Sequence, residues 1–529
     1  MITGSPGIQI AEEDLSSYVS SSSVTTGALV GDFEWGPVDM RQTVVSEAKL
    51  IQFFGYPVDR NYKDWFTAKN YLNYSSSLQV VRVMGVGSKN ATDVEDADLF
   101  ISNSSVFEFN LVEIIQSKAK ILAKYPGNYG NNIRVGILNK KAYDEQNEAL
   151  KENPDAEVNP ITPYIATVMK TNDIAVGVWV NNAIKEYGVY SIIDGSTDIT
   201  GYENYVFKYF NNNSGYIYLI KENFNLEDSI NIDVTLQGGV SEEITLANYM
   251  KGWDLFKGAE EDEISLLMQG GGSQELGQYI IDIAESRKDC VACVSPMLSE
   301  CVNVLDPVTS ITTGTGSYYS ASSYAFMDGN YKYQYDSYND VYRWIPLNGD
   351  IAGIMAETDE DEEPWFSPGG KTIKNCIKLA FSPTKAERDI LFAYNVNPVV
   401  SFKREGTLLW GDWTRVTNTS FNFIGVRRCF LYIEREIKEY AKAIMWKQND
   451  EITEDSFTQA VEPFLTLVQG GRGLQEFKIY TGDKVSSAEE RDKGIFKAKI
   501  ALKPIRSIRY VYLEFTSVRS DISIEEVIE

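Results

Sequence analysis

The hydrophobic periodicity of this chain begins in one mode, changes, and later returns. Residues 24–84 read as an α/β unit. Residues 24–30 (Val-Thr-Thr-Gly-Ala-Leu-Val) suit a buried strand followed by a loop holding Gly31, Gly36 and Pro37. Ser46 is placed to cap a short helix through Phe54, residues 62–74 suit a second helix, and Leu78–Met84 a strand. From about 90 to 250, Asn, Ser, Asp, Lys and Gly punctuate short alternating runs at 163–169, 174–180, 215–221 and 230–236, which reads as mostly β. Helical periodicity resumes at Lys251, with a helix over 274–286 and a buried strand at Cys290–Val294. The pattern predicts a middle domain split between 24–90 and 251–370, interrupted by a mostly β insertion at 91–250. At roughly 150 residues per domain, 529 residues also call for three or four domains. The expected fold class is α/β (α+β) and multidomain, with mixed sheets and helices in the core.

The acidic stretch 357–370 reads as a surface linker leading into a last module at 371–515. On a helix across 427–446, Phe430, Ile433, Ile437, Tyr440 and Ile444 share one face. Arg428, Arg435 and Lys442 repeat every seven residues on the other. Residues 453–469 read as a further helix, with Phe457, Val461, Phe464 and Val468 inward, Pro463 bending it and Gly470-Gly471 ending it. Phe496–Lys503 and Ile508–Phe515 alternate as two strands. Beyond them Asp521–Glu525 alternates once more, as residues 6–12 do ahead of the serine-rich run Ser16–Ser23. Both ends are thus single strands with no local partner, an arm at 1–23 and another at 516–529.

Composition removes whole classes of chemistry. There is no histidine, so no Ser-His-Asp triad, Cys-His dyad or HExxH zinc site can be built. A net charge of −26 argues against nucleic-acid binding through a basic surface. The charge is uneven. Residues 371–529 hold 25 Lys and Arg against 22 Asp and Glu, whereas 1–370 hold 24 against 53. A mildly basic last module therefore adjoins a strongly acidic remainder, as suits an inward-facing surface that meets an acidic partner. Five cysteines are no disulfide framework. In Cys290-Val-Ala-Cys293 the two thiols would point to opposite faces of a strand, and no further ligand lies near in sequence. Gly270-Gly-Gly-Ser273 precedes a helix, as a phosphate cradle does, but lacks the lysine and spacing of a P-loop and follows no clear strand in the sequence. Thr313-Gly-Thr-Gly-Ser317 is weaker still, and the acidic run 357–363 lacks the EF-hand register. No catalytic residue, cofactor or metal site is expected. No apolar run reaches 18 residues and no leader pattern opens the chain, so a soluble product made in a cytoplasm is expected.

Several segments, in order, resemble the tail sheath proteins of contractile-tailed bacteriophages, most closely the T-even type. They are Gly27-Ala-Leu-Val-Gly-Asp-Phe-Glu-Trp-Gly-Pro37, Tyr125-Pro-Gly-Asn-Tyr-Gly-Asn131, Asp328-Gly-Asn-Tyr-Lys-Tyr-Gln-Tyr-Asp-Ser-Tyr-Asn-Asp-Val341, Pro364-Trp-Phe-Ser-Pro-Gly-Gly370, Trp410-Gly-Asp-Trp-Thr414, Val426-Arg-Arg-Cys-Phe430 and Lys503-Pro-Ile-Arg-Ser-Ile508. Residues 140–250 are not clearly covered. The variable outer region is shorter than in the T-even type, so no receptor or decoration role is carried over to it.

The resemblance implies a subunit that stacks as six-membered rings, helically arranged around a tail tube. The last module would lie innermost, the middle domain over it, and the insertion outside. The arms, at Ile8 and Ile10 and at Ile522 and Ile524, match strands donated to neighbouring subunits. The implied partners are further copies of the chain, the tail tube protein, baseplate proteins and the tail terminator protein, with no direct nucleic acid and no membrane insertion. The implied location is the virion, after assembly in the host bacterial cytoplasm. Arg428, Arg435 and Lys442 are our own candidates for weak, salt-screened contact with the tube. The same architecture serves phage-derived contractile injection systems, tailocins or secretion-type devices, as the alternative reading.

Overall fold

The computed structural model describes residues 25–512 except 96, 167, 259–262 and 483–484. The arm residues Ile8, Ile10, Ile522 and Ile524 lie outside the described residues.

The central element is a six-stranded sheet in the order Ala325–Met327, Val291–Val294, Leu266–Met268, Gly27–Gly31, Leu78–Arg82, Arg41–Val44. All neighbours are parallel except the last pair, in which Arg41–Val44 runs antiparallel to Leu78–Arg82. Gly27–Gly31 lies between Leu78–Arg82 and Leu266–Met268, so chain from either side of the insertion builds one sheet. A parallel sheet buries both faces, and the strand alternation serves two cores. Leu29, Val80, Met268, Cys293 and Phe326 face one core, against the helices Glu47–Phe54, Tyr62–Leu72 and Asn348–Asp361. Ala28, Val30, Val81, Leu267, Cys290 and Ala292 face the other, against Leu246–Asp254 and Gln274–Arg287. Ser46 caps the first helix, its hydroxyl accepting from the Lys49 amide.

The insertion has its own core around a four-stranded antiparallel sheet, Ala183–Ser191, Asp173–Val180, Ile133–Asn139 and Asn231–Thr235, plus the pair Ile121–Ala123 and Ile217–Leu219. It also holds helices at Ser104–Phe109, Leu111–Gln116, Lys140–Glu152 and Val206–Asn213, so it is more helical than its alternation suggested. The run 163–169 forms no strand among its described residues; a 3-10 turn at Thr162–Tyr164 begins it. The two connecting segments leave the middle domain side by side, bridged at Lys89 and Val240 and at Thr92 and Gln237.

Residues 357–370 are not a linker throughout. The helix Asn348–Asp361 runs through the acidic stretch, and its buried Asp350, Thr358 and Asp359 face inward. The last module pairs the helix Ile424–Ile444 with the helix Glu451–Gly470, which holds Pro463 inside it and ends at Gly471. Ile433, Ile437, Tyr440 and Ile444 pack against Phe457, Val461 and Leu465. Phe430 sits outside that core, edge-on to Phe421 at 5.0 Å between centroids. A hairpin of Leu474–Tyr480 and Lys499–Pro504 completes the module. Leu474–Tyr480 was not expected, and 508–512 take no strand partner among the described residues, against the expected strand at Ile508–Phe515.

Candidate functional site

The glycine-rich loop after Leu266–Met268 lies where a doubly wound fold would bind a ligand, at the carboxyl end of a parallel strand and ahead of a helix. Protein groups fill it. The Gly271 amide donates to Asp64 Oδ1 at 2.7 Å, and the Gly270 amide to Asn348 Oδ1 at 3.0 Å. Asp64 also accepts from the Asp32 amide and the Tyr249 hydroxyl. Ser273 caps the helix. The group this loop holds is therefore the chain's own Asp64 carboxyl, which positions two sheet loops.

Next to it, Ser295 donates to Asp328 Oδ2 at 2.5 Å and accepts from the Asn348 amide at 3.1 Å. Burial drives the Asp328 carboxyl up to about 7, opposed by the hydrogen bonds from Ser295 and Asn330. The folded chain thus keeps a proton that the unfolded chain has already released. The stability tied to that proton is present at low pH and lost as pH rises through about 7. Asp328→Asn, which removes the titration, is expected to reduce the fall in denaturant midpoint between about pH 5 and pH 8. An unchanged slope would contradict this.

Two joints tie the modules together. The first gathers on Arg82, fully buried. Its guanidinium donates to the carbonyls of Phe33 at 2.7 Å, Gly36 at 2.7 Å, Glu34 at 3.1 Å and Pro126 at 2.9 Å. Gly36 adopts φ 105°, and a Cβ there would stand 2.6 Å from the Phe53 carbonyl. The loop it shapes carries Trp35 into the core of the insertion, against Tyr125, Tyr129 and Tyr216, with its indole donating to Gly215 O at 3.2 Å. The motifs at Gly27–Pro37 and Tyr125–Asn131 thus meet at one arginine.

The second joint gathers on Asp359. It pairs with Arg428 and accepts from the Thr25 hydroxyl, the first described residue after the N-terminal arm. Arg428 donates further to Met355 O at 3.2 Å. Burial raises the Asp359 carboxyl's pKa, with the Arg428 charge opposing. Beside the pair a cavity of about 280 Å³ is lined by Thr25, Asp359, Glu363, Trp365 and Arg435 among others. The Trp365 indole donates to Gly471 O at 2.8 Å, closing the joint from the other side.

These contacts correct the expected basic face. Arg428, Arg435 and Lys442 do share one side of the helix, but the helix is half inserted. Arg428 is 5% exposed and belongs to the joint. Arg435 is half-buried, with Ser265 Oγ at 3.4 Å and the Tyr432 ring beside it. Lys442, on the protruding end, is exposed and paired with Glu439 at 2.6 Å. Sequence periodicity showed the shared side and could not show how deep the helix sits.

Cys290 and Cys293 do face opposite cores, as their spacing requires. Burial raises both thiols, Cys293 to about 12, so neither is a nucleophile near neutral pH. Among the described residues no three His, Cys, Asp or Glu side chains cluster to hold a metal. No described helix is long and apolar enough to cross a membrane.

The hairpin Leu474–Tyr480 and Lys499–Pro504 is a two-stranded sheet, so each strand keeps an outer edge without a strand partner among the described residues. Phe477, Ile479, Ile500 and Leu502 back it against the helical pair. Open edges on a supported sheet are templates for a further strand.

Buried joints between its parts and an open sheet edge suit a structural protein that assembles with further copies. Comparison with known proteins agrees. Residues 242–415 match the phage tail sheath protein central domain and 416–517 the phage tail sheath C-terminal domain. The tail sheath protein of Vibrio phage KVP40 is 26% identical over 670 aligned positions, covering 99% of both chains. That of Enterobacteria phage T4 is 27% identical over 660, again covering 99% of both. These alignments are longer than the 529-residue chain, so the relatives carry insertions it lacks. Among solved structures, the sheath tail protein Lin1278 from Listeria innocua is similar in fold, with a TM-score of 0.59 at 13% identity over 91% of this chain and 92% of that one. The anti-feeding prophage helical sheath in the contracted state gives 0.52 at 13% identity over 98% and 100%. The chain belongs to the phage tail sheath protein family, the structural subunits of contractile tails.

Proposed function

We propose that this subunit stacks as hexameric rings around a tail tube, is held there in an extended, metastable state, and contracts to drive the tube through a host envelope. Neighbouring copies are linked by strands from residues 1–23 and 516–529, around Ile8, Ile10, Ile522 and Ile524. The observation that carries this reading is the hairpin Leu474–Tyr480 and Lys499–Pro504, which can accept a strand on each edge. Main-chain hydrogen bonds along such edges let copies rotate without separating. The joints at Arg82 and Asp359 suit the same purpose. A subunit whose modules do not slip against each other passes movement from ring to ring as a rigid body. A gain on the order of a few kcal/mol per subunit, summed along the cylinder, would drive contraction without nucleotide.

In this reading the chain divides into a middle domain at 24–90 and 251–370, an outer insertion at 91–250, and an inner, tube-facing module at 371–515. Of the three basic candidates only Lys442 is well exposed for tube contact. The partners are other copies, the tube, the baseplate and the terminator, in a virion assembled in the bacterial cytoplasm. Full-length matches to phage proteins favour a phage tail over a phage-derived injection device.

The test is negative-stain microscopy of the expressed chain beside a variant lacking residues 516–529. The full chain is expected to form hollow cylinders or rings, and the variant to stay a folded monomer. Cylinders from the variant would overturn the strand-donation reading.

A further inference from the structure

The last described residues leave the hairpin and cross, within the same module, to the 410–423 region. Ile505 donates its amide to Gly473 O at 3.1 Å, the last backbone–backbone bond of the segment among the described residues. Four residues on, Arg509 enters a built slot. Its guanidinium carbon stands 3.8 Å from the Trp413 ring centroid and 3.4 Å from that of Phe423. Its Nε donates to Asp412 Oδ1 at 2.7 Å, and its Nη2 to Asn422 O at 3.2 Å. The Asp412 side chain is 6% exposed and also accepts from the Ser507 hydroxyl. Planar charge between two rings with a buried carboxylate at its edge is an arrangement for arginine, not for lysine. The side chains around it look outward: Ile508 is 84% exposed, Tyr510 71%, Val511 73% and Tyr512 92%. These exposed apolar side chains, on a segment without a strand partner among the described residues, add little to the stability of the fold. It stands directly before residues 513–529.

We propose that Arg509 is a positioning residue for the C-terminal arm. Clamped between Trp413 and Phe423 and tied to Asp412, it fixes the course of 505–512 and so the point from which the arm departs. This rests on the reading of 516–529 as a donated strand. A strand donated from a loose chain must be ordered at the moment of pairing. The clamp orders the root beforehand, so assembly starts from a smaller entropic deficit. It also makes the Asp412-Trp413 pair part of the arm, which accounts for the Trp410–Thr414 and Lys503–Ile508 motifs lying together.

The experiment compares wild type, Arg509→Ala, Arg509→Lys and the 516–529 deletion, each full length otherwise, for monomer stability, for hydrogen exchange over 505–512, and for the concentration of half-maximal polymerisation. Arg509→Ala leaves Asp412 enclosed without its cation, so it is expected to lower the monomer's denaturant midpoint while the monomer stays folded without denaturant, to speed exchange over 505–512, and to raise the polymerisation threshold about tenfold, the order-of-magnitude effect of leaving one or two residues to be ordered. Arg509→Lys, which keeps the charge and loses the planar stack, is expected to fall between. If the alanine variant does not fold, the lysine variant carries the comparison through the same readouts. Faster exchange with an unchanged threshold would overturn the positioning role. If the deletion abolishes polymerisation while Arg509→Ala leaves the threshold alone, strand donation stands and the clamp fails. If the deletion polymerises, donation itself fails.

Discussion

Asp359→Ala is expected to destabilise the contact between the helices Asn348–Asp361 and Ile424–Ile444 by about 3–5 kcal/mol, because it strands Arg428 as a buried, unpaired cation. Both partners are nearly enclosed, with side-chain exposures of 5% for Arg428 and 10% for Asp359. Removing the carboxylate also releases the Thr25 hydroxyl at the root of the N-terminal arm. The comparison that isolates the cause is Asp359→Leu combined with Arg428→Met. Replacing both charges with apolar groups of similar volume removes the desolvation cost together with the attraction, so the double variant is expected to be far closer to wild type than Asp359→Ala alone. The readouts are the denaturant midpoint and protease cleavage between the helices Asn348–Asp361 and Ile424–Ile444. A double variant as unstable as the single one would mean that the pair is not what holds this joint. If neighbouring copies add strands to the sheet of Leu474–Tyr480 and Lys499–Pro504, as proposed above, the single variant is also expected to assemble poorly, since a pivoting sheet cannot keep its two edges in register.

The same pair marks where sequence reasoning ends. The seven-residue spacing of Arg428, Arg435 and Lys442 is a local fact about one helix, and the three do share a side. Which third of that side is buried depends on Asp359, 69 residues away, which the acidic run 357–363 hid among its neighbours. Composition reads such a run as solvated, yet Thr358 and Asp359 sit on the inner side of the helix while Glu360, Asp361, Glu362 and Glu363 are exposed. Core strands were legible because parallel strands are near-continuous apolar runs: Leu78–Arg82 and Val291–Val294 fell where expected. The alternation of Cys290 and Cys293 onto two cores followed from strand geometry alone. The helix Lys140–Glu152 was missed because it is almost wholly polar, with only Ala142 and Gln146 buried. The strand Leu474–Tyr480 was missed because its first half, Leu-Gln-Glu-Phe, does not alternate, and a register shift between Leu474 and Glu476 breaks the pattern. Resemblance supplied the family and the order of the motifs. It did not say why Gly27–Pro37 and Tyr125–Asn131 keep company, and that answer is a single side chain.

Arg82→Ala is expected to loosen the insertion from the middle domain at a cost of about 4 kcal/mol or more, since four buried carbonyls lose their donor at about 1 kcal/mol or more each. The four belong to two segments distant in sequence, Phe33–Gly36 and Pro126, and nothing else described on the structure bonds to all of them. Arg82→Lys separates charge from shape. A lysine keeps a cation near Asp32 and Glu34, whose negative charges oppose the lowering of Arg82's pKa by burial, but its three donors leave one point and cannot span the fork. It is expected to recover only part of the loss. Trp35→Ala gives the complementary case. It leaves the arginine and its loop intact and opens a cavity in the insertion core, at about 3–5 kcal/mol. The two variants should therefore differ in where they fail. Arg82→Ala is expected to expose the loop 33–37 to protease while the sheet of the insertion, which has its own core, stays protected from hydrogen exchange. Trp35→Ala is expected to weaken protection within that sheet first. Arg82→Lys with wild-type midpoint and wild-type cleavage would show that charge alone suffices, and that the fork of hydrogen bonds does not hold the insertion in place.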